Sequence, residues 1–409
     1  MLSIKKTRSA NLIGINTLKR RSNLRYNLWP MNLNLTNKIL ITCARGNKPF
    51  LEAEITSLGY KIDSSHETGV VIRAHFLETF KLNLELRTAY NVLFLLKEIK
   101  CASAPDLYSE ARQIEWENII PPDEYISVVS QVDNPTIKNS MFANQKLKDA
   151  IVDRMVEQTG KRPDSGPDRK NIVINLYWKD KKAWIYLNTS GVKLADRGYR
   201  KIPLEAPMQE TLAGAVILAS GYNGTCHFVN PMCGSGTLAI EAALIALNKA
   251  PGLLRSNYAL THLKNFDAGY WQALRKQTLA RSLKKTGFRI IATDIRPKAV
   301  DGALKNAKTA GVDHLIEFSS CPFQDTEIPD GKGIVILNPE YGERMGESSE
   351  LAAAYKEIGD FFKKKCLGYT GYVFTGNPVL SKKIGLRAKK RVPFYNGDIE
   401  CRLNEYEIY

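Results

Sequence analysis

The sequence has no apolar run near the roughly eighteen unbroken residues that would span a bilayer, so a membrane-embedded protein is not expected. Its seven cysteines include no C-x-x-C pair and do not group with the five histidines, which excludes a disulfide framework and a zinc site and favours a reducing, cytoplasmic setting. No metal is expected. Acid is missing from the start of the chain: Glu52 is the first acidic residue, while Lys5, Lys6, Arg8, Lys19, Arg20, Arg21 and Arg25 place seven positive charges in the first thirty residues. That leader lacks the long apolar core of a secretory signal and reads as a disordered extension, with a transit peptide, an RNA-binding arm or an extension before a second start at Met31 as alternatives. A dinucleotide fingerprint is incomplete as well. Ala239 is allowed at its third small position, but the next strand to end on an acid closes only at Asp294, far beyond the spacing of about 20 residues that a nicotinamide site uses.

What is present is a chain of 409 residues, 44% hydrophobic, enough for two or three domains with real cores, and a net charge of +16. A positive field of that size draws phosphate backbones by counterion release, which makes nucleic acid the leading partner, although charge alone does not carry the claim. KILITCARG reads as a strand ending at Gly46, Lys48 to Leu58 as a helix stopped by Gly59, GVVIRA as a second strand, and Leu77 to Lys97 as one long apolar helix. A second unit follows: the strand YISVVSQV, a helix over Ser140 to Thr159 stopped by Gly160, and a hairpin of NIVINLYWKD and KAWIYLNTSG. Lys146, Lys148 and Arg154 lie on the helix's polar face and are candidates for an RNA backbone, as are Arg197, Tyr199 and Arg200 in the glycine-bearing turn that joins this unit to the next. Tyr258, Phe266, Tyr270 and Trp271, in an insert that runs to about Lys285, read more readily as packing residues than as base-stacking platforms.

The rest is organised around CHFVNPMCGSGT, residues 226 to 237, a buried strand that stops in a turn of small residues before a helix. Strands FRIIATD, HLIEFSS, GIVILNP and GYTGYVFTG alternate with helices, the pattern of a parallel sheet whose ligand lies across the carboxyl ends of its strands. The glycine turn can approach the amino-acid part of a nucleoside-like cofactor, Asp294 can accept its ribose hydroxyls, and Cys321 to Phe323 can flank its adenine. The fourth end, ILNPEYGER at residues 336 to 344, sets a side-chain carbonyl, a rigid backbone carbonyl and a ring around one spot. An exocyclic amine of a flipped base needs that set: two acceptors for its hydrogens and a ring to stack on. Together these ends point to methyl transfer.

NPMCGSGT followed by IEAA, the segment ATDIRPKAV, and NPEYGER resemble the THUMP-domain class I methyltransferases that modify guanine N2 in RNA, most nearly the bacterial enzymes acting on 23S ribosomal RNA. The resemblance covers everything except the basic leader. It implies an α/β chain: a basic extension over 1–36, a ferredoxin-like domain over 37–103 with a last strand near 192–200, a THUMP RNA-binding domain over 104–191, and over 201–409 a Rossmann-like methyltransferase domain with a mostly parallel seven-stranded sheet. It further implies S-adenosylmethionine held along Asn230, Pro231, Met232, Cys233, Gly234, Ser235, Gly236 and Thr237, at Asp294 and Ile295, and by Cys321, Pro322 and Phe323. The target amine would be held by Asn338 and the Pro339 carbonyl, with Glu340 beside it and Tyr341 stacked on the base; Arg344 would meet RNA. Two positions depart from the family pattern: Asn230 stands where Asp is common and Glu340 where a second Pro is commoner. A protein that binds RNA without turnover, and methylation of another amine such as a tRNA guanine, adenine N6 or a protein glutamine, remain the alternatives.

Overall fold

Two seven-stranded sheets carry the chain. The structure, a computed structural model, describes residues 36–408 apart from 135, 136, 138, 203–207 and 342–347, so the basic leader and Arg344 lie outside the described residues. The first sheet is built from β1 (Thr36–Cys43), α1 (Lys48–Ser57), β2 (Ile62–His66), β3 (Gly69–His75), α2 (Glu78–Glu85) and β4 (Ala89–Lys100). It continues with α3 (Ala104–Arg112), β5 (Ile126–Asp133), α4 (Ser140–Thr159), β6 (Ile172–Lys179) and β7 (Lys182–Asn188). Its strand order, β2-β3-β1-β4-β7-β6-β5, makes one continuous sheet of two units that the sequence reads as separate.

The strand that joins them corrects an expectation. The single helix expected over Leu77 to Lys97 is instead the short α2 followed by β4, which pairs antiparallel with β1 on one side and β7 on the other. Val92, Leu93 and Phe94 have no exposed surface and Leu95 has 5%, because a central strand is covered on both faces. Such a strand shows no alternation and cannot be told from a buried helix by periodicity.

The second sheet follows from α5 (Glu210–Ala219): β8 (His227–Pro231), α6 (Thr237–Ala246), α7 (Ala268–Ala280), β9 (Ile290–Asp294), α8 (Pro297–Ala310), β10 (Ile316–Ser320) and β11 (Gly333–Leu337). After these come α9 (Ser348–Lys365), β12 (Thr370–Thr375), α10 (Pro378–Lys383), β13 (Lys390–Asn396) and β14 (Ile399–Glu407). The order is β10-β9-β8-β11-β12-β14-β13, parallel from β10 to β12 and closed by an antiparallel hairpin that carries no motif in the sequence. The insert after α6 belongs to the other sheet's core: Phe80 of α2 stacks on Phe266 at 6.1 Å and meets Tyr270 and Trp271 edge-on, each at 5.7 Å. Buried Arg255 from the same insert donates to the carbonyls of Ser190, Val192, Lys193 and Asp196. The strand expected near 192–200 is absent, its carbonyls being drawn to this guanidinium rather than to a ladder.

The junction turn contradicts a second expectation. Arg197 and Tyr199, proposed from sequence to meet RNA, are each 1% exposed. Tyr199 Oη donates to the Glu241 carboxylate of α6 (3.1 Å), and Arg197 lies 3.2 Å and Arg87 3.6 Å from its other oxygen. The contact is one of charge rather than aligned hydrogen bonds, since Arg197 Nη1 and Glu241 Oε2 have no hydrogen-bond partner among the described residues. An acid with no exposed surface, between a cation of the first sheet and one of the junction, ties the two halves together. Glu241→Ala leaves the buried Arg197 guanidinium without its acid and is expected to cost about 3–5 kcal/mol; urea unfolding measures it, and a loss below about 1 kcal/mol would remove the charge argument.

Candidate active site

The parallel registers place the sequence-predicted site residues at one edge. β11 pairs with β8 from Gly333↔His227 to Val335↔Val229, β8 with β9 up to Pro231↔Thr293, and β9 with β10 up to Asp294↔Ser320. The glycine turn, Asp294, Cys321 and Asn338 therefore follow the carboxyl ends of four neighbouring strands. Chain order reverses between β8 and β11, the switch point at which open sheets of this kind leave a crevice.

Asn230 pins the two central ends together. Its Nδ2 donates to the Ile336 carbonyl on β11 (2.9 Å), a bond an aspartate could not make, while its fully buried Oδ1 has no partner among the described residues. Beyond Pro231 the backbone turns through positive φ at Met232 (56°), Gly234 (55°) and Gly236 (80°). For Met232 that conformation is strained, and strain of this kind gathers at ligand sites. A Cβ on Gly234 would meet nothing within 4 Å, so the turn is open there, whereas one on Gly236 would lie 2.8 Å from Ala303 of α8. Gly236 thus serves helix packing, and the open face belongs to Gly234. Ser235 and Thr237 share a hydrogen bond of 3.2 Å, and burial pushes the Cys233 thiol well above its ordinary range, which leaves it no nucleophile.

Asp294 shapes the turn from the next strand. Its Oδ2 accepts from Gly234 N at 2.9 Å, and its Oδ1 from Arg296 N at 3.0 Å and Arg296 Nε at 3.3 Å, so the carboxylate, 4% exposed, fixes the turn while Oδ2 keeps a second acceptor site. Beside it Ile295 is 67% exposed, an apolar side chain at the mouth. Of the third end, Cys321 and Pro322 reach the surface, but Phe323 is packed edge-on against Phe361 at 5.8 Å, and its ring belongs to the core.

At the fourth end Pro339 is buried, Asn338 and Tyr341 are half-buried, and Glu340 is exposed. The Asn338 Oδ1 atom is buried and unpartnered among the described residues. A buried amide oxygen without a donor is uncommon in folded proteins and calls for an explanation. The Glu340 carbonyl accepts from Tyr355 Oη (3.3 Å), whose hydroxyl also meets Thr375 (2.7 Å). Tyr341 Oη accepts from Asn396 Nδ2 (2.9 Å), and burial raises its phenol to about 12, so it stays protonated at neutral pH. Tyr355 and Asn396, which the sequence reading missed, come from α9 and from the end of β13. No local signal marks either one.

Three stretches match family models: residues 38–93 a ferredoxin-like domain, 101–188 a THUMP domain, and 197–405 the RMKL-like methyltransferase domain, which spans half of the chain. The chain belongs to the RMKL-like methyltransferase family. The ribosomal RNA large subunit methyltransferase K/L of Psychromonas ingrahamii is 38% identical over 374 residues, 90% of this chain and 50% of that protein. The chain spans about half the length of such K/L relatives. A putative RNA methyltransferase of Synechocystis is 31% identical over 374 residues and is matched over 97% of its length. Among solved structures, the putative methyltransferase SMU.472, complexed with SAH, superposes with a TM-score of 0.83 at 26% identity, covering 91% of this chain and 98% of that one.

The residues expected to meet RNA are scattered. Lys146 and Lys148 stay half-exposed on α4, with Met141 (75%) and Phe142 (44%) uncovered at its start. Arg154, in contrast, is held by Glu117 through two hydrogen bonds of 2.6 and 2.8 Å, and Arg200 by the Glu210 carboxylate (3.1 Å) and the Met208 carbonyl (2.6 Å). Among the described residues there is no cluster of His, Cys, Asp and Glu suited to a metal, and no helix long and apolar enough to cross a membrane.

Proposed function

We propose that this protein transfers a methyl group from S-adenosylmethionine to the exocyclic N2 amine of a guanine in RNA, with ribosomal RNA the favoured substrate. The observation that carries this reading is the buried Asn338 Oδ1, unpartnered among the described residues, at the strand end beside the glycine turn. The cofactor fits the residues present: an open backbone turn at Gly234, a carboxylate at Asp294 with an acceptor site left on Oδ2, and exposed Ile295 for an apolar ring. Asn230 Oδ1, buried and without a donor among the described residues, suits an N–H of the amino-acid part. When bound, S-adenosylmethionine supplies an electrophilic methyl on its sulfonium.

The chain's own residues do the rest. A purine amine is a poor nucleophile because its lone pair is delocalised into the ring. Asn338 Oδ1 accepts one N–H and the Pro339 carbonyl the other, and this grip favours the pyramidal amine that can attack. Tyr341 offers its ring to the extruded base. The new N–C bond takes the amine's lone pair, the sulfur keeps the electrons of the bond it loses, and the amine's proton leaves toward solvent, where exposed Glu340 offers a carboxylate to relay it. Glu340 replaces a stiffening proline, but Tyr355 holds the Glu340 carbonyl, which supports a competent loop.

Incubation with methyl-labelled S-adenosylmethionine and undermethylated ribosomal RNA, followed by nucleoside digestion and mass spectrometry, tests the proposal. N2-methylguanosine is the expected product. Label on adenine or on protein would refute the guanine assignment, and tight RNA binding without transfer would make this an RNA-binding member of the family.

A further inference from the structure

Tyr341 is held from two directions, neither of them within its own loop. Asn396 Nδ2 donates to its hydroxyl, and the Tyr341 ring fills the place of a side chain at Gly376, where a Cβ would come within 3.0 Å of Cδ2. Asn396 ends β13, whose Phe394 pairs with Cys401 of β14, so the hold on the hydroxyl belongs to the terminal hairpin. That hairpin is in turn clamped by the first domain. Gly46, at φ +85°, brings the backbone so close that a Cβ would lie 2.9 Å from Phe394 Cα. Phe50 of α1 stacks on Phe394 at 5.5 Å and 15°, and the Arg45 guanidinium sits 4.1 Å from the centre of the Tyr395 ring. Residues 394, 395 and 396 thus touch the ferredoxin-like domain with the first two and the base-facing tyrosine with the third.

We propose that Asn396 is the positioning residue for Tyr341, and that the ferredoxin-like domain, through Gly46 and Phe50 against Phe394, sets the tilt of that ring over the target base. The role rests on the functional reading above. It explains why the hydroxyl of a half-buried tyrosine is held from another strand: stacking needs only the ring, whereas holding the ring at one angle needs its far end tethered. It also gives the first domain a part in turnover beyond holding RNA.

The test compares wild type, Asn396→Ala, Tyr341→Phe and the double variant by two measurements. In kinetics with ribosomal RNA, each single variant is expected to lower kcat by roughly 5- to 10-fold, the worth of one hydrogen bond, with KM for S-adenosylmethionine unchanged. The double variant should be no slower than either single, because both remove the same contact. Multiplying losses, or an unchanged kcat in Asn396→Ala, would overturn the assignment. The second measurement is the 13Cζ resonance of Tyr341, identified by its disappearance in Tyr341→Phe. It should shift in Asn396→Ala, and also in Phe50→Ala although Phe50 contacts Phe394 and not Tyr341. A resonance unmoved by Phe50→Ala overturns the domain's part, and one unmoved by Asn396→Ala overturns the tether. Asn396→Gln, which keeps a donor, should restore part of kcat; a variant that loses both kcat and thermal stability without such rescue counts against positioning. If the wild type transfers no methyl, the functional reading falls and the positioning role with it, while the resonance still decides whether the tether exists.

Discussion

Asn338→Ala is expected to reduce methyl transfer about 10²- to 10³-fold while leaving the affinities for S-adenosylmethionine and for RNA near wild type. The magnitude is that of removing one preorganised polar group from a reacting centre. The selectivity follows from the geometry: among the described residues the buried Oδ1 has no partner to lose, so truncation takes away what the atom would offer the target amine. Asn338→Asp separates charge from shape, since it keeps an acceptor at the same place. Single-turnover rates with saturating RNA, beside filter-binding affinities, make the measurement. A drop in RNA affinity that accounts for the whole effect would mean that Asn338 anchors the substrate without assisting the chemistry.

Asp294→Ala is expected to weaken cofactor binding by about 10²- to 10³-fold, read by calorimetric titration with S-adenosylhomocysteine. Two effects add. The carboxylate's own ligand contacts disappear, and the Gly234 and Arg296 amides that it holds at 2.9 and 3.0 Å lose their acceptor, so the open turn relaxes. Hydrogen bonds to a charged group contribute about 1.5–3 kcal/mol each, and two near the low end of that span sum to about 3–4 kcal/mol, which converts to that range. RNA binding through the first sheet should persist, and a change below about 5-fold in ligand affinity would mean that Asp294 merely shapes the loop.

How far the site was legible varies by residue. The turn at 230 to 237 and the loop at 338 to 341 could be read because their chemistry is local: glycines where the backbone must turn through positive φ, and an Asn-Pro pair where two carbonyls must point one way. Asn230 looked like a departure from the family and is accounted for by its donation to Ile336, a partner 106 residues away. Arg197 and Tyr199 misled for the opposite reason. A basic, aromatic turn has the composition of an RNA contact, and only the burial of Glu241 beneath it shows that its charge is already neutralised within the protein.

The amino-acid sequence by itself determined the alternation of strand and helix in the second half, the glycine turn, the Asn-Pro loop proposed to hold the amine, and the family, because periodicity and turn chemistry are written in neighbouring residues. The fusion of two units into one sheet through β4, the insert's attachment to the other domain's core, and the grip of the terminal hairpin on Tyr341 were decided only by tertiary structure. Each of these depends on which surface meets which across long stretches of chain. A strand buried on both faces, or an asparagine at the end of a hairpin, takes its meaning from a partner that its own neighbourhood does not specify.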